Sequence, residues 1–279
     1  MVLSTIGAIW KSQSKFLEFI VGGSMNETRI STAPPTLLPA QVYVGCAGWS
    51  LSRDASTHFP PGDSHLVRYA SRLSAVEINT SFYRPHRPAT YRRWAETVPA
   101  DFRFSAKIPK SITHEHKLKI GPENLQSFLD EISALEDRLR CLLVQLPPSL
   151  QFDRDVANRF FTMIREQSPA SIVCEPRHVS WFNDEANSAL ESCGISRVAA
   201  DPAVVSGAAV PGGSLALIYY RWHGSPRMYY SEYDDAQLSL LAKNLRSAQA
   251  SGHECWCIFD NTAAGAAIEN ALTLRRALS

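Results

Sequence analysis

Eight short apolar runs punctuate the chain, and each ends in a polar or chargeable residue. The first four are Val42–Gly45 leading to Cys46–Trp49, Ala75–Val76 to Glu77–Asn79, Phe102–Ala106 to Lys107, and Cys141–Val144 to Gln145. Ile172–Cys174 then leads to Glu175, Val198–Ala200 to Asp201, Leu215–Tyr220 to Arg221–His223, and Cys255–Phe259 to Asp260–Asn261. Strands buried on both faces of a parallel sheet read as continuous apolar runs of this kind. Between them lie stretches with helical spacing, such as Leu66, Tyr69, Ala70 and Leu73, or Phe160, Phe161 and Ile164, so the alternation is strand, helix, strand, helix. Eight such units over about 240 residues predict a single-domain α/β fold, a TIM-type (β/α)8 barrel, with its site at the C-terminal ends of the strands.

That barrel occupies 41–279, and 1–40 reads as a disordered N-terminal tail. Ile6–Trp10 and Phe16–Val21 are apolar but separated by Lys11, Ser12, Gln13, Ser14 and Lys15, which makes neither a clean signal peptide nor a barrel helix. Met25 precedes a Ser/Thr/Pro segment ending in Ala33–Pro34–Pro35, and is an alternative start to Met1. No stretch approaches the roughly 18 apolar residues that span a bilayer, so no membrane association is expected.

With 279 residues, 45% of them hydrophobic, the chain can bury one large core. A net charge of +1 excludes a polycation that coats nucleic acid, although the charge is uneven. Residues 41–120 hold twelve Lys or Arg against six acids, and 121–200 hold seven against twelve. Either these are solvated helix faces of opposite sign or the first quadrant of the barrel attracts an anion. The six cysteines form no CxxC pair, and five fall in strand runs, as expected of buried thiols in a reduced, cytoplasmic protein.

The strand ends carry the candidate chemistry. Trp49, beside two glycines, would wall a pocket, but Gly45–Ser50 lacks the spacing of a dinucleotide fingerprint. Glu77 follows its strand directly and needs a partner if buried. Lys107, on the neighbouring strand, is the expected one, in a pair that either fixes the interior or performs chemistry. Asn79, Tyr83 and Arg84 follow Glu77, and Gln145 ends the fourth run. The fifth run ends in Glu175-Pro176-Arg177-His178, with Trp181 close behind, and the seventh in Arg221-Trp222-His223. His114, ahead of His116, and Asp201 complete the polar set. Asp260 and Asn261 precede small residues that would leave helix N–H groups open to an anion, unless one of the two simply caps that helix.

Taken together, the segments VGCAGWS, EINTSFYR, FRFSAKIPKSITHE, LLVQLPPS, CEPRHVSW, AADP, YYRWHG and FDNTAAGAAIENA closely resemble the YecE-like family, known as domain of unknown function 72. The resemblance runs in order from about Val42 to Leu274 and implies a TIM-type barrel whose motif residues line one site. It implies no particular reaction. One departure is visible, because the family pattern usually has Phe-Asn-Asn where this chain has Phe259-Asp260-Asn261, adding a carboxylate.

The expected activity is that of an acid–base enzyme, of hydrolase or lyase type, acting on a small anionic molecule bearing phosphate or carboxylate, without a redox cofactor. Glu77 or Glu175 would be general acid or base, and Lys107 an electrostatic stabiliser or a Schiff-base nucleophile. Arg177, Arg221 and His223 would bind the anion or shuttle a proton. A second reading is a divalent-metal isomerase or endonuclease-like barrel using Glu77, Glu175, Asp201, His223 and Asp260, against which stand Lys107, Arg177 and Arg221 on the same rim. A third is a non-catalytic binder of nucleic acid or another ligand. It would set Arg84, Arg87, Arg92, Arg93 and Lys110 beside Trp49, Tyr83 and Trp181 as stacking platforms.

Overall fold

Ten strands and seven helices build the barrel in the computed structural model, which describes residues 40–279. The expected N-terminal tail, apart from its last residue, and the alternative start at Met25 lie outside the described residues. In chain order the strands are β1 (Val42–Ala47), β2 (Ala75–Ile78), β3 (Arg103–Lys107), β4 (Leu139–Gln145) and β5 (Ser171–Glu175), then β6 (Ser196–Arg197), β7 (Ala199–Asp201), β8 (Gly212–Gly213), β9 (Leu217–Trp222) and β10 (Glu254–Phe259). The helices are α1 (His65–Ala70), α2 (Pro88–Thr97), α3 (Pro122–Ile132), α4 (Arg154–Gln167), α5 (Asp184–Ser192), α6 (Asp235–Ala250) and α7 (Ala266–Leu278). No helix among the described residues is long and apolar enough to cross a membrane.

Neighbouring strands pair in the order β7-β9-β10-β1-β2-β3-β4-β5-β6-β8, and every pairing except β6 with β8 is parallel. β6 and β7 are one barrel stave broken at Val198. β6 pairs with β5, and β7 with β9. The Val198 N–H still donates to the Cys174 carbonyl at 2.8 Å, and Leu217 N–H donates to Ser196 Oγ at 3.2 Å across the seam. The eight expected runs are therefore eight staves of a nearly closed barrel.

The strand–helix alternation fails once, between β7 and β9. Residues 202–216 contain Pro202, Gly207, Pro211, Gly212 and Gly213, a composition that breaks helices. They form a 3-10 turn, Ser206–Ala209, and then β8, which pairs antiparallel with β6. Gly213 is required there, since its φ is +64° and a Cβ would lie 2.3 Å from the Ile195 carbonyl oxygen.

Side chains alternate across each stave. Val44, Cys46, Val76, Ile78, Phe104, Ala106, Leu142, Val144, Ile172, Cys174, Cys255, Cys257 and Phe259 pack in the outer core together with helix residues. Tyr43, Ala75, Cys141, Leu143, Val173, Val198, Leu217, Tyr219, Trp256 and Ile258 fill the interior. Two residues further along the same inward rows stand Glu77, Gln145, Glu175, Arg221 and Asp260, all buried. The apolar filling thus occupies the lower barrel, and the polar groups form the layer above it at the C-terminal rim.

Candidate functional site

Arg221 is the centre of the polar layer and is fully buried. Its Nε donates to Glu77 Oε2 at 2.9 Å and its Nη2 to Glu77 Oε1 at 2.6 Å. Nη1 donates to Glu175 Oε2 at 2.8 Å, and Nη2 also reaches Asp260 Oδ2 at 3.1 Å. A buried charge is tolerable when paired and hydrogen-bonded, and here one guanidinium ties together carboxylates from β2, β5 and the end of β10. The Tyr219 hydroxyl, one inward step below Arg221, donates to Glu77 Oε2 at 3.1 Å and lies 3.1 Å from Ser105 Oγ.

His223 stands one step above Arg221 and is buried. Its Nδ1 lies 3.0 Å from Asp260 Oδ2, and its Nε2 lies 2.9 Å from Glu175 Oε1 and 2.7 Å from Arg177 Nη2. Arg177 Nη2 also contacts Glu175 Oε1 at 2.5 Å. A guanidinium only donates, so when Nε2 accepts from Arg177 the ring proton is on Nδ1, facing Asp260. When both nitrogens carry protons, each faces a carboxylate oxygen. Only the first form satisfies the 2.7 Å contact with Arg177, which puts the ring proton on Nδ1. Burial pushes the Glu175 carboxyl up, but Arg177, Arg221 and His223 outweigh it and hold the group well below the usual range. Burial likewise opposes Arg221 and His223 at Asp260, whose carboxyl is also held low.

Lys107 differs from these groups. The expected pairing with Glu77 is not formed, and the register gives the reason: Glu77 lies level with Ser105, so Lys107 stands one inward step nearer the rim. Glu77 takes Arg221 as partner instead. Lys107 is 5% exposed, yet its ammonium forms no ion pair among the described residues. Its Nζ lies 4.1 Å over the Phe82 ring. That ring is placed by the 3-10 turn Thr80–Phe82, whose Ser81 Oγ donates to the Lys107 carbonyl at 2.7 Å. Burial first, and then the Arg221 charge, lower the Lys107 amine to about 8 despite Glu77, Asp260 and Glu175 nearby. The His114 ring meets the Phe82 ring edge-on at 4.9 Å and is lowered by burial and by Lys107.

The remaining candidates divide. Gln145 is buried and level with Glu175. Asn79 continues the inward row of β2 and its Oδ1 is buried without a partner. Trp49 is half-buried edge-on against Trp94, and Tyr83 is 74% exposed beside the exposed Arg84. His178 Nδ1 accepts from Ser180 N–H and so caps the 3-10 turn Val179–Trp181. Trp181 is 1% exposed, with its indole N–H on the Leu150 carbonyl, so it stacks no base. Asp201 accepts from the Tyr233 hydroxyl at 2.8 Å, outside the cluster. Asn261 donates to Asn270 Oδ1 and to the Ser231 carbonyl. Neither Asp260 nor Asn261 caps α7 through its side chain, since the N-cap of that helix is Gly265.

Sequence reasoning missed Tyr219, Ser105, Phe82 and Tyr229. The first two were findable, each lying two residues before a candidate on the same inward row. Tyr229 carries no such signal. It adopts φ +69°, donates its N–H to the His223 carbonyl at 2.5 Å and sets its ring edge-on to the imidazole.

The donor set does not fit a divalent ion. Arg221 occupies the point where Glu77, Glu175 and Asp260 converge, Asp201 is turned away, and among the described residues no group of three His, Cys, Asp or Glu is arranged to hold a metal. Two grooves of about 450 and 640 Å³ also open on the surface, one beside Lys117, Gln151 and Trp181, the other beside Ser52, Tyr230 and Gly265. None of the charged cluster lines either. The cluster, where buried titratable groups converge, is the candidate site.

Comparison with known proteins follows the same outline. A family model described as "Protein of unknown function DUF72" matches residues 43–279. The UPF0759 protein YecE of Escherichia coli K12 is 27% identical over 165 residues, 57% of this chain, and its counterpart in strain O157:H7 is 32% identical over 106 residues, 38% of this chain. The chain spans 59% and 38% of the length of these two curated relatives. A crystal structure of a DUF72 family protein from Thermotoga maritima MSB8 is 26% identical, with a TM-score of 0.71 over 85% of this chain and 98% of that one. A DUF72 family protein from Enterococcus faecalis V583, 22% identical over 85% of this chain and 95% of its own, has the same fold with a TM-score of 0.71.

Proposed function

This chain belongs to the DUF72 family, that of the YecE proteins, and on that premise we propose that it is an acid–base enzyme of hydrolase or lyase type acting on a small molecule that carries a carboxylate or phosphate. The observation that carries this reading is Lys107: a buried amine without an ion-pair partner among the described residues, held at about 8, and within the electrostatic reach of Asp260 and Glu175, the two carboxylates that His223 faces. A lysine in that condition exchanges protons near neutral pH and attracts an anion when charged. C-terminal rims of (β/α)8 barrels are where such groups act.

The roles divide by burial. Arg221 and Glu77 are saturated with partners, so they position the layer and do not touch substrate. Lys107 and Arg177 hold the anion. His223, oriented by Asp260, moves a proton, with Glu175 as its second partner. Thermal-shift titration with inorganic phosphate, malonate and gluconate tests this. Saturable stabilisation of the wild type is expected, and its loss in Lys107→Met and Arg177→Met. No stabilisation by any of the three, or equal stabilisation of the variants, contradicts it.

A further inference from the structure

An electrostatic role alone leaves unused what is most unusual about Lys107. A buried cation is ordinarily held by a carboxylate. Here three carboxylates lie in the same layer, Glu77 on β2, Glu175 on β5 and Asp260 after β10, and all three are drawn to Arg221 and its neighbours. Burial first and then the Arg221 charge on β9 disfavour the Lys107 proton, and His114 after β3 is near enough to be lowered by Lys107 in turn. Its nitrogen rests on an aromatic face, which leaves the lone pair of the neutral amine uncommitted. Just beyond the ends of β2 and β5, Asn79 Oδ1 and Arg177 Nε are buried without partners among the described residues, one acceptor and one donor for a bound molecule.

Resting on the reading of the site as an anion-binding enzyme, the geometry points to covalent catalysis in which Lys107 forms an imine with the carbonyl carbon of a small aldehyde or ketone bearing a carboxylate or phosphate. The amine lone pair forms the C–N bond while the C=O π bond breaks onto oxygen. Two protons from the starting ammonium then leave with that oxygen as water, and the nitrogen lone pair closes the C=N bond. The overall balance is ammonium plus carbonyl compound giving iminium plus water. The iminium nitrogen is an electron sink, so the bond that breaks next is a C–H or C–C bond on the carbon alpha to the iminium carbon, its electron pair passing into the C=N system to give an enamine. This narrows the reaction to the lyase type, with His223 as the group that accepts or returns the proton.

Trapping tests it. The full chain is incubated with sodium cyanoborohydride and either pyruvate or glycolaldehyde phosphate. The reagent delivers hydride to the iminium carbon and leaves a stable secondary amine that peptide mass mapping locates. Labelling of Lys107, whose amine is lowered to about 8, should exceed that of the exposed Lys243 on α6 by at least about tenfold at neutral pH. It should vanish in Lys107→Arg and persist in Lys243→Met. If the arginine variant fails to fold, the wild type alone decides: the labelling rate should rise with pH around about 8. Thermal stabilisation by pyruvate or glycolaldehyde phosphate without any adduct overturns the imine and leaves the anion site standing. Neither stabilisation nor adduct overturns both, and a rate that rises only near 10.5, the ordinary lysine value, overturns the assignment to Lys107.

Discussion

Arg221 grips Glu77 with two parallel hydrogen bonds, Nε to Oε2 and Nη2 to Oε1, at 2.9 and 2.6 Å, and both side chains are wholly removed from solvent. The bond crosses the barrel from β9 to β2, so it fixes the width of the polar layer as well as the charge within it. Breaking one partner of such a pair strands the other charge.

Glu77→Ala should therefore lower stability by about 3–5 kcal/mol, measured by urea unfolding. Adding Arg221→Met to that variant should cost less than its effect in the wild type, because one of the three carboxylates that Arg221 holds is already gone. A double variant whose loss is the sum of the two single losses contradicts the pairing described here.

Lys107 makes stability depend on pH in a direction opposite to a paired lysine. Its folded value of about 8 lies below the ordinary 10.5. Between those values the unfolded chain binds the extra proton, so the contribution of this group to stability rises with pH through the window from 8 to 10.5 and is lowest below 8. Lys107→Met should be more stable than wild type at pH 7 by about 3 kcal/mol from charge alone. The difference should shrink steadily towards pH 10.5 in parallel denaturant titrations.

Much of the site was legible because strand side chains alternate. Glu77, Lys107, Gln145, Glu175, Arg221 and Asp260 each lie on an inward row at the C-terminal end of a strand, and a row can be counted from the sequence. Asp201 shows the limit of reading strand ends without that count. Val198 points inward, so Asp201, three residues on, points out to Tyr233. The partner of Glu77 was not legible, since it depends on the register that sets Glu77 against Ser105, a property of the closed barrel. His178 and Trp181 follow Glu175 in the chain, yet the turn they form directs one to cap and the other into the core.

Asp260 is one of the carboxylates that raise the Lys107 amine. Asp260→Asn removes a negative charge that raises the Lys107 amine, so the Lys107 midpoint should fall below its wild-type value while the fold persists. An unchanged or higher midpoint contradicts the proximity of the two groups within one layer.

Cys46, Cys141, Cys174, Cys255 and Cys257 are buried, and burial raises all five thiols, Cys46 and Cys255 to about 12. Only Cys193 is partly exposed. Iodoacetamide at pH 7.5 should alkylate Cys193 in the native protein and reach the others only after unfolding. Rapid native labelling of Cys46 or Cys174 would mean that the outer core is open.

The reading of the rim as a reactive anion site is tested most directly by a pH titration of the protein with 13Cε-labelled lysine, followed by NMR with and without inorganic phosphate. One resonance, absent in Lys107→Met, should titrate with a midpoint of about 8 and move upward when phosphate binds, because a bound anion favours the ammonium. If every lysine titrates near 10.5 and none responds to phosphate, the site is a structural ion-pair layer and Lys107 is not its reactive group.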